Sequence, residues 1–210
     1  SVTIKGGINK TVTGLTPNAT YYVQTGGTLN TATSVANYDI ASASYTQAFS
    51  VASQDTQPSA IAFNPAGTKM FIAGNQGNDI GEYTLSTAFD VSTASFVDSF
   101  SVNSQETAPM GVAFNTDGTR MFVNGEAANT VFQYALSTGF DVSTASYTQG
   151  FSTAAQDSAS NGIAFNTDGT KMFVTAESTR KINEYTLSSA FDVSTASYVD
   201  GFLISGQTTQ

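Results

Sequence analysis

The chain has 210 residues and a net charge of −9, and its seven Lys and Arg are too sparse to form the phosphate-neutralising stripe that dominates nucleic-acid affinity. It contains no Cys and no His, which excludes thiolate and imidazole catalysis, haem ligation, ordinary zinc sites and a disulfide scaffold. No apolar run approaches the roughly 20 residues of a membrane-spanning helix, and the length suits one domain with its own core behind a short leader.

Residues 1–37 come first and stand apart from the rest. The stretch VTGLTPNATYYVQTGGTLNT alternates polar and apolar positions, with Pro17 and Gly26-Gly27 as turn signals, and predicts a β connector of one or two hairpins. Asn9 and Asn18 open formal glycosylation sequons, which so Thr-rich a chain also produces by chance.

From residue 38 onward the chain repeats itself. An offset of 51 residues superposes Phe49, Phe100, Phe151 and Phe202 without a gap, and likewise Phe63, Phe114 and Phe165; Met70, Met121 and Met172; and Tyr83, Tyr134 and Tyr185. A period of this length marks a stacked array of identical supersecondary units. Residues 38–51 match only the tail of a unit and predict a lone outer strand. Units follow at 52–102, 103–153 and 154–204, and 205–210 match the start of a further entry loop.

Within the first unit, strands are predicted at 59–64, 69–74, 79–85 and 96–102, rich in apolar, β-branched and aromatic residues. The first two are joined by turns ending in Gly67, Gly118 and Gly169, where glycine suits a tight hairpin with positive φ. The third and fourth are joined by STAFDVSTAS and its relatives. There Asp90, Asp141 and Asp192 can fold back on nearby backbone N–H groups, while the preceding Phe plugs the core. No helix of consequence is expected.

Four antiparallel strands that are apolar on both faces cannot stand alone, and radial stacking of such units gives an all-β propeller of four-stranded blades. A solenoid-like stack is the rival architecture. Three blades fall short of a ring, so the chain is expected to be a fragment of a longer polypeptide, or to meet other copies of itself that complete the ring.

An apolar strand, then Asn-Thr-Asp-Gly-Thr-Lys, then Met-Phe-Val, resembles the blade repeats of YVTN and WD40-like propellers over about residues 38–210. The chain departs from WD40 repeats in having no Trp, so the resemblance implies the architecture and no WD-type partner. The LTPNATYYV stretch looks like the end of a fibronectin type III domain. It also resembles short connectors of bacteriophage tail fibres and related surface proteins, which fits its length better. That second resemblance implies a virion, extracellular or cell-surface location and an adhesive role.

Strand alternation puts the hairpin turns and the 86–95 type links on one propeller face. The second-to-third-strand loops and the blade-entry loops lie on the other. The first face is nearly identical between copies. On the second, Asn75, Gln76 and Asn78, then Glu126 and Asn129, then Glu177 and Arg180 share almost nothing, whereas Gln54 and Asp55, Gln105 and Glu106, and Gln156 and Asp157 recur. Ligand binding is therefore expected on the variable face, at these residues, with a host glycan or protein receptor as partner. The competing reading for the Gln-acid pairs is a loop acid capping its own turn.

No metal is expected, because the Asn-Thr-Asp-Gly turns lack the run of oxygen ligands and the distal acid of a calcium loop. No cofactor is expected either. For catalysis only a carboxylate pair of glycosidase type survives, with Glu126 and Glu177 as candidates and Arg180 alongside. Repetition where an enzyme would show one-off sequence leads to the expectation that the chain is no enzyme. A structural spacer or assembly subunit is the alternative to adhesion, and a glycan-degrading enzyme the second alternative.

Overall fold

Each repeat folds into one antiparallel sheet whose strands lie side by side in chain order. The computed structural model describes residues 22–23, 29–30 and 43–204, and the chain separates into two compact units, Ser1–Thr46 and Gln47–Gln210. In the first, β1 (Tyr22–Val23) pairs antiparallel with β2 (Leu29–Asn30). The sequons, Pro17 and Gly26-Gly27 lie outside the described residues.

The second unit holds three blades. The first is β3 (Pro58–Phe63), β4 (Lys69–Gly74), β5 (Asp79–Leu85) and β6 (Ala94–Ser101). The second is β7 (Pro109–Phe114), β8 (Arg120–Gly125), β9 (Thr130–Leu136) and β10 (Ala145–Ser152). The third is β11 (Ser160–Phe165), β12 (Lys171–Ala176), β13 (Lys181–Leu187) and β14 (Ala196–Leu203). The fourth strand starts two residues earlier than predicted because Asp90 caps a 3-10 turn, Val91–Thr93, that hands directly into β6; its carboxylate accepts from Ser92 N at 3.0 Å. Asp141 and Asp192 do the same for Ser143 and Ser194.

Blades stack sheet on sheet along a core of aromatic rings. Phe71 of the first blade meets Phe114 of the second at 4.4 Å between centroids, and Phe122 meets Phe165 of the third at 4.4 Å. Phe140 and Phe191 reach back onto Phe71 and Phe122 of the preceding blade. Burying such side chains is worth about 1.5–3 kcal/mol each. Phe89, at the same position in the first blade, is 60% exposed. The predicted plug thus forms where a blade precedes it and fails where none does among the described residues.

Phe89, Phe140 and Phe191 have positive φ, and each lies over the glycine of its own blade's hairpin turn. A Cβ on Gly67, Gly118 or Gly169 would come within 2.3, 2.2 or 2.1 Å of the ring. Glycine is required there both for φ and for space.

Polar contacts repeat from junction to junction. Lys69 Nζ donates to Phe140 O at 2.6 Å and pairs with Glu82 at 2.6 Å, and the other Glu82 oxygen accepts from Val142 N at 3.0 Å. At the next junction Arg120 donates to Phe191 O at 2.6 Å, and Gln133 Oε1 accepts from Val193 N at 3.1 Å. With Glu82 only 2% exposed, the cost of desolvating its charge offsets much of the attraction to Lys69.

The segment 43–51 has no ladder partner among the described residues, yet Phe49 packs edge-on against Tyr83 at 5.8 Å, as Phe100 does against Tyr134 and Phe151 against Tyr185. Its last residues therefore sit where the outer strand of a preceding blade would lie. At the other end, the far side of the third blade is an apolar groove of about 1010 Å³, lined by Ile163, Phe173, Ile182 and Phe202 among others.

Candidate functional site

Three acids of the variable face turn out to be structural. Asp55, Glu106 and Asp157 are 6%, 0% and 4% exposed. Asp55 accepts from Gln57 N at 2.5 Å and from Gly77 N at 2.6 Å. Glu106 accepts from Ala108, Ala127 and Ala128, and Asp157 from Ala159, Ser178 and Thr179, through backbone amides at 2.7–3.3 Å. Each carboxylate caps its own entry loop and also braces the loop between second and third strands some twenty residues later. Burial disfavours the charge on Asp157, but the bonds from Thr179, Ala159 and Ser178 outweigh it and hold its pKa below the ordinary carboxylate value. These side chains point inward, so they do not present themselves to a ligand on the surface.

The remaining candidates divide in two. Asn78, Asn129 and Arg180 occupy the same left-handed turn position, with φ of 50°, 47° and 54°. Asn78, with its amide oriented to donate, reaches Thr107 O at 2.7 Å and Asn75 O at 2.9 Å, and Asn129 Oδ1 accepts from Ser160 N at 3.3 Å. Both asparagines thereby tie their loop to the entry of the following blade. Gln105 and Gln156 accept from the hydroxyls of Tyr134 and Tyr185 at 3.3 and 3.4 Å. Gln54, Gln76, Glu177 and Arg180 are exposed, and Asn75 and Glu126 are half-buried. Glu177 accepts from the Asn161 amide at 2.9 Å. The loop face is thus a set of differing tips on identical internal posts.

One departure from the repeat lies inside a strand. In β5 the first blade has Asp79 and Gly81 where the second has Thr130 and Phe132 and the third has Lys181 and Asn183. The missing side chain leaves a cavity of about 100 Å³ beside the first entry loop, lined by Gln54, Asp55, Asp79, Tyr83, Phe96 and Ser99. The signal that would have found it was the lone glycine inside a strand that the other copies fill. No group of three or more acids among the described residues could hold a metal ion.

Sheets of four antiparallel strands, stacked face to face with their first strands adjacent, define a β-propeller, here as an open arc of three blades. Solved structures share this fold at low identity. A functionally unknown protein of Desulfotomaculum acetoxidans is 19% identical over 86% of this chain and 49% of its own, with a TM-score of 0.52. A provisionally assigned 6-phosphogluconolactonase of Bacteroides fragilis is 14% identical over 68% of this chain and 37% of its own, with a TM-score of 0.50. One of Bacteroides uniformis, also provisionally assigned, is 12% identical over 71% and 43%, with a TM-score of 0.50. The chain spans less than half the length of each. No family model matches the chain, and no curated protein matches it.

These likenesses correct one expectation. Repetition predicts that the chain is no enzyme, yet the same fold occurs in proteins provisionally assigned as 6-phosphogluconolactonases. A repeated scaffold carries catalysis as readily as binding when the loops supply the chemistry, so that exclusion falls.

Proposed function

We propose that this chain is a recognition module displayed on a virion or cell surface, which binds a host glycan or protein receptor through the loops at 75–78, 126–129 and 177–180. One observation carries the reading: loops of unrelated sequence hang from acids in the same place, Asp55, Glu106 and Asp157, so their tips can change while their position does not. Loop variability on a fixed frame is how binding surfaces are diversified. Replacing residues 75–77, 126–128 and 177–179 with Gly-Ser, with Asn78 and Asn129 kept, should abolish adhesion to host cells and leave the fold intact. Undiminished adhesion would overturn the choice of face.

The same reading includes completion of the ring by further blades, supplied by other copies or by a longer polypeptide. Phe89 and Phe202, 60% and 66% exposed at opposite ends of the arc, are its support. Intact mass and light scattering of the native particle test it; a monomer of 21.8 kDa would remove it.

The likeness to provisionally assigned lactonases favours a second reading, hydrolysis of a sugar lactone. Acid release from 6-phosphogluconolactone above the buffer rate, lost in Glu126→Gln or Glu177→Gln, would establish it. A rate equal to that of buffer would remove it.

A further inference from the structure

The cavity beside Gly81 lies where the second and third blades carry the side chains of Phe132 and Asn183. A Cβ on Gly81 would meet no atom nearer than 3.4 Å, so the space is open and glycine is not forced there by crowding. Tyr83 is only 1% exposed and lines the cavity, and its hydroxyl has no hydrogen-bond partner among the described residues. Tyr134 and Tyr185 donate to Gln105 and Gln156, whereas the corresponding Gln54 Oε1 accepts from Ser53 Oγ at 2.8 Å. In the first blade the tyrosine hydroxyl therefore borders the cavity without the glutamine partner that its two counterparts have.

Two carboxylates share this space, and among the described residues no Lys or Arg lines it. Asp55 is committed on both oxygens to the amides of Gln57 and Gly77. Asp79 is not so committed. Burial raises its pKa, and the charge of Asp55 adds to that rise against a hydrogen bond from Ser99. The rings of Phe96 and Tyr83, edge to face at 5.5 Å, supply the apolar wall. Phe96, which lines the cavity, is 41% exposed, and its counterparts Tyr147 and Tyr198, in blades that do have a blade before them, are 46% and 43% exposed. A preceding blade would therefore leave the Phe96 ring exposed.

We propose that this cavity binds an unbranched alkylammonium group, the tip that a lysine side chain of a protein receptor presents. An ammonium donates three hydrogen bonds and carries the charge the site lacks. Asp79 takes the charge, the Tyr83 hydroxyl and Ser99 accept, and the aromatic wall receives the alkyl stem and favours the cation. A space of about 100 Å³ admits that tip and excludes a pyranose ring. A bare divalent cation is poorly served, since both Asp55 oxygens are already bonded and calcium takes six to eight oxygen ligands. The proposal deepens the receptor-binding reading and rests on it only for where the lysine comes from.

The test is titration of the full isotope-labelled chain with n-butylammonium chloride, read at the amides of Gly77, Gly81 and Ser99 against sodium chloride of equal ionic strength. Saturable shifts at these amides are expected. Gly81→Phe, which installs the side chain of the second blade, should weaken binding by about tenfold or more, and Asp79→Asn by a similar factor. The isosteric Asp79→Asn keeps the test decisive should Gly81→Phe fold poorly. Shifts no larger than those from sodium chloride would overturn the proposal, as would equal affinity in the variants. Tighter binding of calcium or glucosamine at the same amides would also overturn it. Loss of adhesion without loss of these shifts, or the reverse, separates this proposal from the receptor reading.

Discussion

The two faces of the propeller solve the same problem with opposite tolerances. On the hairpin face, Asp90, Asp141 and Asp192 bond amides two residues away, and Gly67, Gly118 and Gly169 sit under a phenylalanine ring, so each element constrains its immediate neighbours and the sequence is locked. On the loop face, Asp55, Glu106 and Asp157 reach amides in a different loop. Glu106 spans to Ala127 and Ala128 with its longer side chain, and Asp55 and Asp157 reach Gly77 and Thr179 with a shorter one. A brace that holds backbone places no demand on the side chains it holds. The first arrangement preserves sequence and the second releases it.

Removing a brace should give the largest effect. Glu106→Ala leaves the amides of Ala108, Ala127 and Ala128 without their acceptor, and at about 1–3 kcal/mol for each buried group left unsatisfied it should cost roughly 3 kcal/mol or more in a urea melt. A loss below 1 kcal/mol would mean that water replaces the carboxylate. On the opposite face Gly118→Ala forces a Cβ to within 2.2 Å of the Phe140 ring at φ of 74°. It should cost about 2 kcal/mol by the same melt, through the turn alone.

The pH dependence sharpens the contrast inside the loop face. The pKa of Asp157 is lower in the folded chain than in the unfolded one, so its contribution is fully present above the unfolded value of about 3.9 and is lost as pH falls through the folded value. Asp157→Asn should flatten the acid limb of the stability profile. Asp79 has the opposite sign: its raised folded pKa makes stability fall as pH rises through the carboxylate range, so Asp79→Asn should slightly stabilise the unliganded chain at neutral pH. Melts from pH 2 to about 7 read both. Smallest of all, Gln76→Ala and Glu177→Ala should change stability by no more than about 0.5 kcal/mol, since neither side chain holds the frame.

The blades were legible in the sequence because period-two patterning and glycine turns are local, and the offset that superposes Phe49 on Phe100 is visible without structure. The start of β6 was placed late because a 3-10 turn capped by Asp90 looks like any serine- and threonine-rich loop. For the site, capping of its own turn by the Asp55 carboxylate was legible in the sequence, but the second loop that it braces was not. Only folding brings residue 77 beside residue 55.

The junctions between blades also have a consequence for heredity. Lys69 to Phe140 and Arg120 to Phe191 are the same contact one unit apart. Unequal crossing-over that removed or duplicated one whole unit would bring together surfaces that already fit. The number of blades can therefore change in a single genetic event without any junction having to be invented, and a lineage carrying this repeat can vary the span of its arc as readily as the tips of its loops.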